Sequence, residues 1–184
     1  MSSYLGLIMP SKVKLKLPKT IWTKADTMRL AMDTLASIKL RTSKGIDANG
    51  DNFKKYSTKK IYISTKKGTG KRLKPKGGVL SKTGKTMRFD GGYREYKELS
   101  RERGTVPGQI DSAEVDLVLS GALMNNLVVL KASRTRFVIG LTKHVKYYGY
   151  AVNAQREYLG LSPDEIRLLI VATRQAIADK LSQK

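Results

Sequence analysis

Apolar positions along this chain fall into two helical stripes and several short β-rich runs. The clearer stripe lies near the C-terminus. There Ile166, Leu169, Ile170, Ile177 and Leu181 recur at helical spacing, with Arg167, Arg174, Gln175 and Lys180 mostly outside it. Its start is marked by Ser162, Pro163 and Glu165: a capping serine, a proline suited to the first helical position, and a glutamate placed to close a capping box. Such a stripe predicts a sheet beneath it. Just upstream, residues 127–130 (LVVL) and 136–141 (RFVIGL) are β-rich and flank the turn-prone residues 131–134, so they read as a hairpin packed under a helix. Residues 120–126 read as a short helix capped by Ser120.

The second stripe, Ala25, Met28, Met32, Leu35 and Ile38 or Ala36, predicts a core-facing helix from about Thr20 or Thr23 to Arg41. Thr23 and Asp26 form a weaker capping box, Gly45 supplies the C-cap, and Trp22 anchors the first turn. Ahead of it, residues 12–17 (KVKLKL) alternate basic and apolar positions as a charged edge strand would. Residues 60–64 (KIYIS) and 86–90 (TMRFD) read as the strands of a long hairpin around a glycine- and lysine-rich arm. Residues 93–103 form a polar helix with Tyr96 and Leu99 on its buried side. The pattern predicts a single domain over residues 1–184, with a long helix near the N-terminus and a hairpin packed under the C-terminal helix. An extended basic hairpin or loop, residues 54–88, projects from it.

Composition narrows the function classes. With 184 residues and 40% hydrophobic positions the chain can bury a core, and without cysteine it has neither disulfides nor thiolate metal sites. No apolar run approaches the roughly 18 residues of a membrane helix. Residues 1–10 lack the basic flank and cleavage site of an export signal, so none is expected.

Charge is unevenly spread. Residues 1–90 carry 22 Lys and Arg against 5 Asp and Glu, a net +17, whereas residues 91–184 carry 14 against 10, a net +4. Residues 54–88 hold 13 basic residues and no acidic one, a block that calls for solvent or an anionic partner. Lys59, Lys60, Lys66, Lys67, Lys71, Arg72, Lys74, Lys76, Lys82, Lys85 and Arg88 are therefore the candidate partner-binding residues. Lysine outnumbers arginine and residues 64–88 hold no Tyr or Trp, which points to charge contact with phosphates or an acidic protein face rather than base reading. Tyr147, Tyr148 and Tyr150 are candidates for subunit contact or for packing under the last helix.

Catalytic and cofactor motifs fail on spacing. Counting back from Gly84-Lys85-Thr86, the first glycine of a phosphate-binding loop falls on Val79. Asp47, Asn49 and Asp51 imitate a calcium loop, yet Asn52 stands where glycine is needed and Thr58 where glutamate should chelate. His144 is the single histidine, and Glu95, Glu98 and Glu102 fall on one solvated helix face. No enzyme, cofactor or metal site is expected.

Four segments, in this order, resemble the tail-completion or tail-to-head joining proteins of tailed bacteriophages, also called phage virion morphogenesis proteins. They are residues 41–57 (RTSKGIDANGDNFKKYS), 92–97 (GYREYK), 115–124 (VDLVLSGALM) and 156–162 (REYLGLS). The resemblance covers about residues 20–182. The chain departs from the family at Glu157, where proline is common, and at residues 147–150 (YYGY), where a histidine-glutamine-glycine cluster is common. The resemblance implies an α+β fold, with an antiparallel sheet packed against a long N-terminal helix and a C-terminal helix. It also implies a noncatalytic virion protein at the neck, assembled in the host cytoplasm into a homo-oligomeric ring, expected to be hexameric. Its partners would be the tail tube or tail terminator, the head connector and the genomic DNA in the channel, with no membrane involved. A tail terminator at the same junction and a nonspecific DNA-binding protein are the alternatives.

Overall fold

The computed structural model describes residues 21–65, 75–100, 115, 117, 121–142 and 144–182. Its elements run α1 (Lys24–Ser43), β1 (Ile61–Ser64), β2 (Val79–Leu80), β3 (Thr86–Phe89), α2 (Gly92–Ser100), α3 (Ala122–Asn125), β4 (Leu127–Ala132), β5 (Phe137–Leu141), α4 (Lys146–Gln155) and α5 (Pro163–Ser182). The fold is α+β, with two separate antiparallel sheets, β1-β3-β2 and β4-β5. The edge strand expected at residues 12–17 and the helix end expected at residues 101–103 lie outside the described residues.

Both capping boxes form. The Thr23 hydroxyl accepts the Asp26 amide while the Asp26 carboxylate accepts the Thr23 amide, and Ser162 and Glu165 do the same at the start of α5. At the other end of α1 the Gly45 amide donates to the Thr42 carbonyl and the Ile46 amide to that of Arg41. Gly45 holds the left-handed φ of 76° that this Schellman closure requires. Trp22 is buried as an anchor: its Nε1 donates to Thr27 Oγ1 at 2.8 Å, and Thr27 Oγ1 donates to the Arg134 carbonyl at 2.6 Å, tying the start of α1 to the β4–β5 turn.

The buried face of α1 differs from the expected stripe. Thr27, Leu30, Ala31, Thr34, Leu35, Ile38 and Thr42 face inward, while Ala25, Met28 and Met32 are exposed. Counting apolar residues alone put the stripe out of phase, because threonines whose hydroxyls are bonded, here Thr27 and Thr34, can serve as core residues. Thr34 Oγ1, for example, donates to the Leu30 carbonyl at 2.7 Å. The main core joins Leu35 and Ile38 of α1 to Phe53, Val115, Leu117, Leu123, Met124, Leu127, Leu141 and Tyr158.

The hairpin extends beyond its expected limits: β4 runs to Ala132, the turn closes from Ser133 to Arg136, and a register shift lies between Val129 and Lys131. Its covering helix is α1. The C-terminal helix α5 instead lies antiparallel along α1, and ion pairs join the two at both ends, Asp26 with Lys180 and Arg41 with Glu165. As a result Leu169 and Ile177 are only half-buried, and Ile166, Ile170 and Leu181 stay exposed, against the expectation of a stripe buried on a sheet. α3 has Gly121 at its N-cap in the left-handed conformation, and the Ser120 expected to cap it lies outside the described residues.

Candidate attachment surfaces

The first surface is the β1-β3-β2 sheet. The two expected strands pair antiparallel with Ile61 opposite Phe89 and Tyr62 opposite Arg88, and a third short strand, β2, sets Val79 opposite Arg88 and Leu80 opposite Met87. Strand alternation then sorts the side chains. Ile61, Ile63, Met87 and Phe89 share the inner face, where Phe89 is fully buried and meets Tyr96 edge-on at 5.2 Å between ring centres. Lys60, Tyr62, Arg88, Asp90 and Val79 share the outer face. There Asp90 forms ion pairs with Lys60 at 3.4 Å and with Arg88 at 3.2 Å, half-exposed pairs that hold the two cations in place.

Of the expected partner-binding residues, Lys66, Lys67, Lys71, Arg72 and Lys74 lie outside the described residues. Lys59, Lys60, Lys76, Lys82 and Lys85 are exposed, and Arg88 is partly so. They are not strung along a free loop. Pro75 is buried, the Lys76 amide donates to Ser100 Oγ at 3.0 Å, and residues 79–80 fold back as β2, so the second limb of the arm rests on α2 and β3. Lys82 and Lys85 occupy the β2–β3 turn, pinned to β1 where Thr65 Oγ1 donates to the Gly84 carbonyl at 2.7 Å.

α2 supports that sheet, and its buried face agrees with the expected one at Tyr96 but not at Leu99. Tyr96, Lys97 and Ser100 are buried, while Leu99 is 42% exposed. Lys97 occupies an inward helical position because Tyr56 receives it: Nζ donates to the Tyr56 hydroxyl at 3.1 Å and sits 4.5 Å from the ring centre. The Arg156 guanidinium lies 4.9 Å from the same ring and donates to the carbonyls of Lys54 and Lys55. Gly92 starts α2 with φ 73°, and a side chain there would meet the Ser57 and Lys59 carbonyls.

The second surface is α4. Tyr147 is 91% exposed, with Tyr150, Ala151 and Ala154 on the same outward face. Tyr148 points to one side, into a shallow recess lined by Tyr56, Tyr93, Lys97, Leu117 and Val152. None of the three expected contact tyrosines is packed beneath α5. The tyrosine that fills the core is Tyr158, whose hydroxyl donates to the Gly149 carbonyl at 3.2 Å and whose burial pushes the phenol well above its ordinary range.

The segments that carried the family resemblance meet in space. Arg41 is 8% exposed; its Nε donates to Glu165 at 3.0 Å and its Nη2 to the carbonyls of Gly160 at 2.8 Å and Tyr158 at 3.3 Å. The Ala48 amide donates to the Glu157 carbonyl, and Asn153 Oδ1 accepts the amides of Tyr158 and Leu159. Asp47 is spent on its own turn: Oδ1 accepts the Asn49 and Asp51 amides, which accounts for the calcium-loop look of that sequence. His144 is exposed. Among the described residues no cluster of three or more His, Asp or Glu converges on a metal position, and no helix is long and apolar enough to cross a membrane.

Compared with family models, with curated proteins and with solved structures, the chain finds no match.

Proposed function

We propose that this chain is a noncatalytic structural subunit of a tailed-phage neck, a tail-completion or tail-to-head joining protein that forms a ring and attaches through its basic sheet. The observation that supports this reading is the division of labour just described. Residues 41–57 and 156–162 are locked to each other through Arg41, Ala48, Glu157 and Arg156, so they build a scaffold. What the scaffold presents is a cationic sheet on one element group and the bare Tyr147, Tyr150 face of α4 on another. A ring subunit needs two such kinds of surface, one for its copies and one for a different partner, and repetition around the ring turns weak contacts into avidity.

The test is to locate the chain in assembled particles by electron microscopy with a tagged subunit. Density in a ring between head and tail is expected, and its position relative to the tail tube separates completion from termination. Finding the tag free in lysate, or elsewhere in the particle, would overturn the assignment. A Tyr147→Glu, Tyr150→Glu variant should remain folded and lose the ring.

A further inference from the structure

We infer that the outer face of the β1-β3-β2 sheet binds single-stranded nucleic acid by stacking a base on Tyr62. This rests on the reading of the sheet as an attachment surface and gives that surface its ligand. The residue that carries it lies within the basic block, just before residues 64–88, the stretch that offers no aromatic partner for bases. The fold brings it in: Tyr62 is opposite Arg88, and Arg88 is opposite Val79, so one row across three strands reads tyrosine, arginine, valine.

The inner face already takes Ile61, Ile63, Met87 and Phe89 for packing, and Tyr62, 62% exposed, contributes nothing to that core. Lys60 flanks it along β1, and Lys82 and Lys85 stand exposed at the turn. Among the described residues, the carboxylate on this face, Asp90, is engaged by Lys60 and Arg88 together. Adjacent strands lie about 4.8 Å apart, so Tyr62 and Val79 are separated by about 10 Å. That leaves room for one base on the tyrosine ring, a second over the Arg88 guanidinium or Val79, and phosphates along the lysines. Sheet-borne aromatics with flanking cations recognise single strands in this way, because unpaired bases have an open π-face. A duplex keeps its bases stacked on each other and can use only the charges. An acidic protein face would likewise use the cations and leave the tyrosine idle.

The experiment measures fluorescence anisotropy of the full chain with a labelled single-stranded oligonucleotide of mixed sequence and with the duplex of the same length. The wild-type chain should bind the single strand more tightly than the duplex. Tyr62→Ala should weaken single-strand binding about tenfold or more while leaving duplex binding within about twofold, and Tyr62→Phe should retain the preference. Arg88→Ala should weaken both ligands. Thermal unfolding of each variant checks that the exposed substitutions leave the fold intact. Equal affinity for single strand and duplex in the wild type, or equal losses for both with Tyr62→Ala, overturns the inference. So does a chain that binds neither oligonucleotide at low salt. In that case a tagged chain still found at the neck would leave the structural role standing with a protein as the partner.

Discussion

The β4-β5 hairpin sends Leu127, Phe137 and Leu141 into the core beneath α1, and its turn is tied down through Arg134 and Thr27. The β1-β3-β2 sheet turns Ile61, Ile63, Met87 and the fully buried Phe89 inward, apart from that core cluster, and its opposite face carries Lys60, Tyr62 and part of Arg88 into solvent. The first sheet is held by the scaffold from which the second is presented. A few buried polar groups, chiefly Arg41 and Thr27, tie the scaffold together, while the outer sheet face leaves Lys60, Tyr62 and Val79 exposed. Changes should therefore damage stability in one region and binding in the other.

The largest effect expected is at Arg41. Arg41→Ala removes the cation from Glu165, which is itself 10% exposed, and from two loop carbonyls. Breaking a buried pair from one side should cost about 3 kcal/mol or more, read as a lower midpoint in chemical denaturation. Arg41→Lys should recover only part of it, since an ammonium cannot span the three acceptors. A near-neutral Arg41→Ala would break the comparison, because the scaffold would then have no privileged staple.

Phe89→Ala should come next, at about 3 kcal/mol for an aromatic removed from a buried face. Hydrogen exchange can show where the loss falls. Protection should drop first in β1 and β3 and on α2, with β4 and β5 retained, because the ring packs on Tyr96 and not on the main core cluster. Simultaneous loss of both sheets would show that they are one cooperative unit.

The difference between the regions also governs how far the sequence could be read. Caps and turns were legible, because Thr23 with Asp26, Ser162 with Glu165, and Gly45 act on neighbours a few residues away. The paired strands at Ile61–Ser64 and Thr86–Phe89 were legible from their alternation. Helix faces were not. Buried Thr27 and Thr34 replaced Met28 and Met32, and buried Lys97 replaced exposed Leu99, because burial was decided by distant partners, Arg134 and Tyr56. For α5 the periodicity was real, but its partner was α1 and not a sheet, so Ile166 and Ile170 were left outside. Tyr62 was overlooked because its neighbours Arg88 and Val79 come from strands far along the chain. The alternation of Lys60 and Tyr62 was the available signal.

A smaller effect is expected at the far end of the helix pair from Arg41. Partial burial alone would raise the Asp26 carboxyl, but hydrogen bonds from Lys180 and Thr23 outweigh it and hold the pKa at about 2, against the ordinary 3.8. The unfolded chain takes up this proton first as pH falls. The stabilisation is therefore complete above about pH 4 and lost on descent to about pH 2. Surface screening limits it to about 1 kcal/mol or less. Asp26→Asn should lower the thermal midpoint slightly at neutral pH and flatten its decline over that acid window. An unchanged acid profile would remove this ion pair from the scaffold.

The smallest effect on stability belongs to the outer turn, and it is the most informative about the division. Lys82 and Lys85 are exposed, so neutralising both as Lys82→Gln, Lys85→Gln removes charge and no packing. Stability should stay within about 0.5 kcal/mol of the wild type. Binding to a polyanion such as heparin should weaken, and the slope of log affinity against log salt should fall by up to about 2 if both lysines contact charges. A matched control, Lys39→Gln with Lys44→Gln on the α1 side, removes the same charge from the scaffold. If the control lowers the slope equally, net charge rather than this sheet captures anions, and the boundary between scaffold and attachment surface disappears.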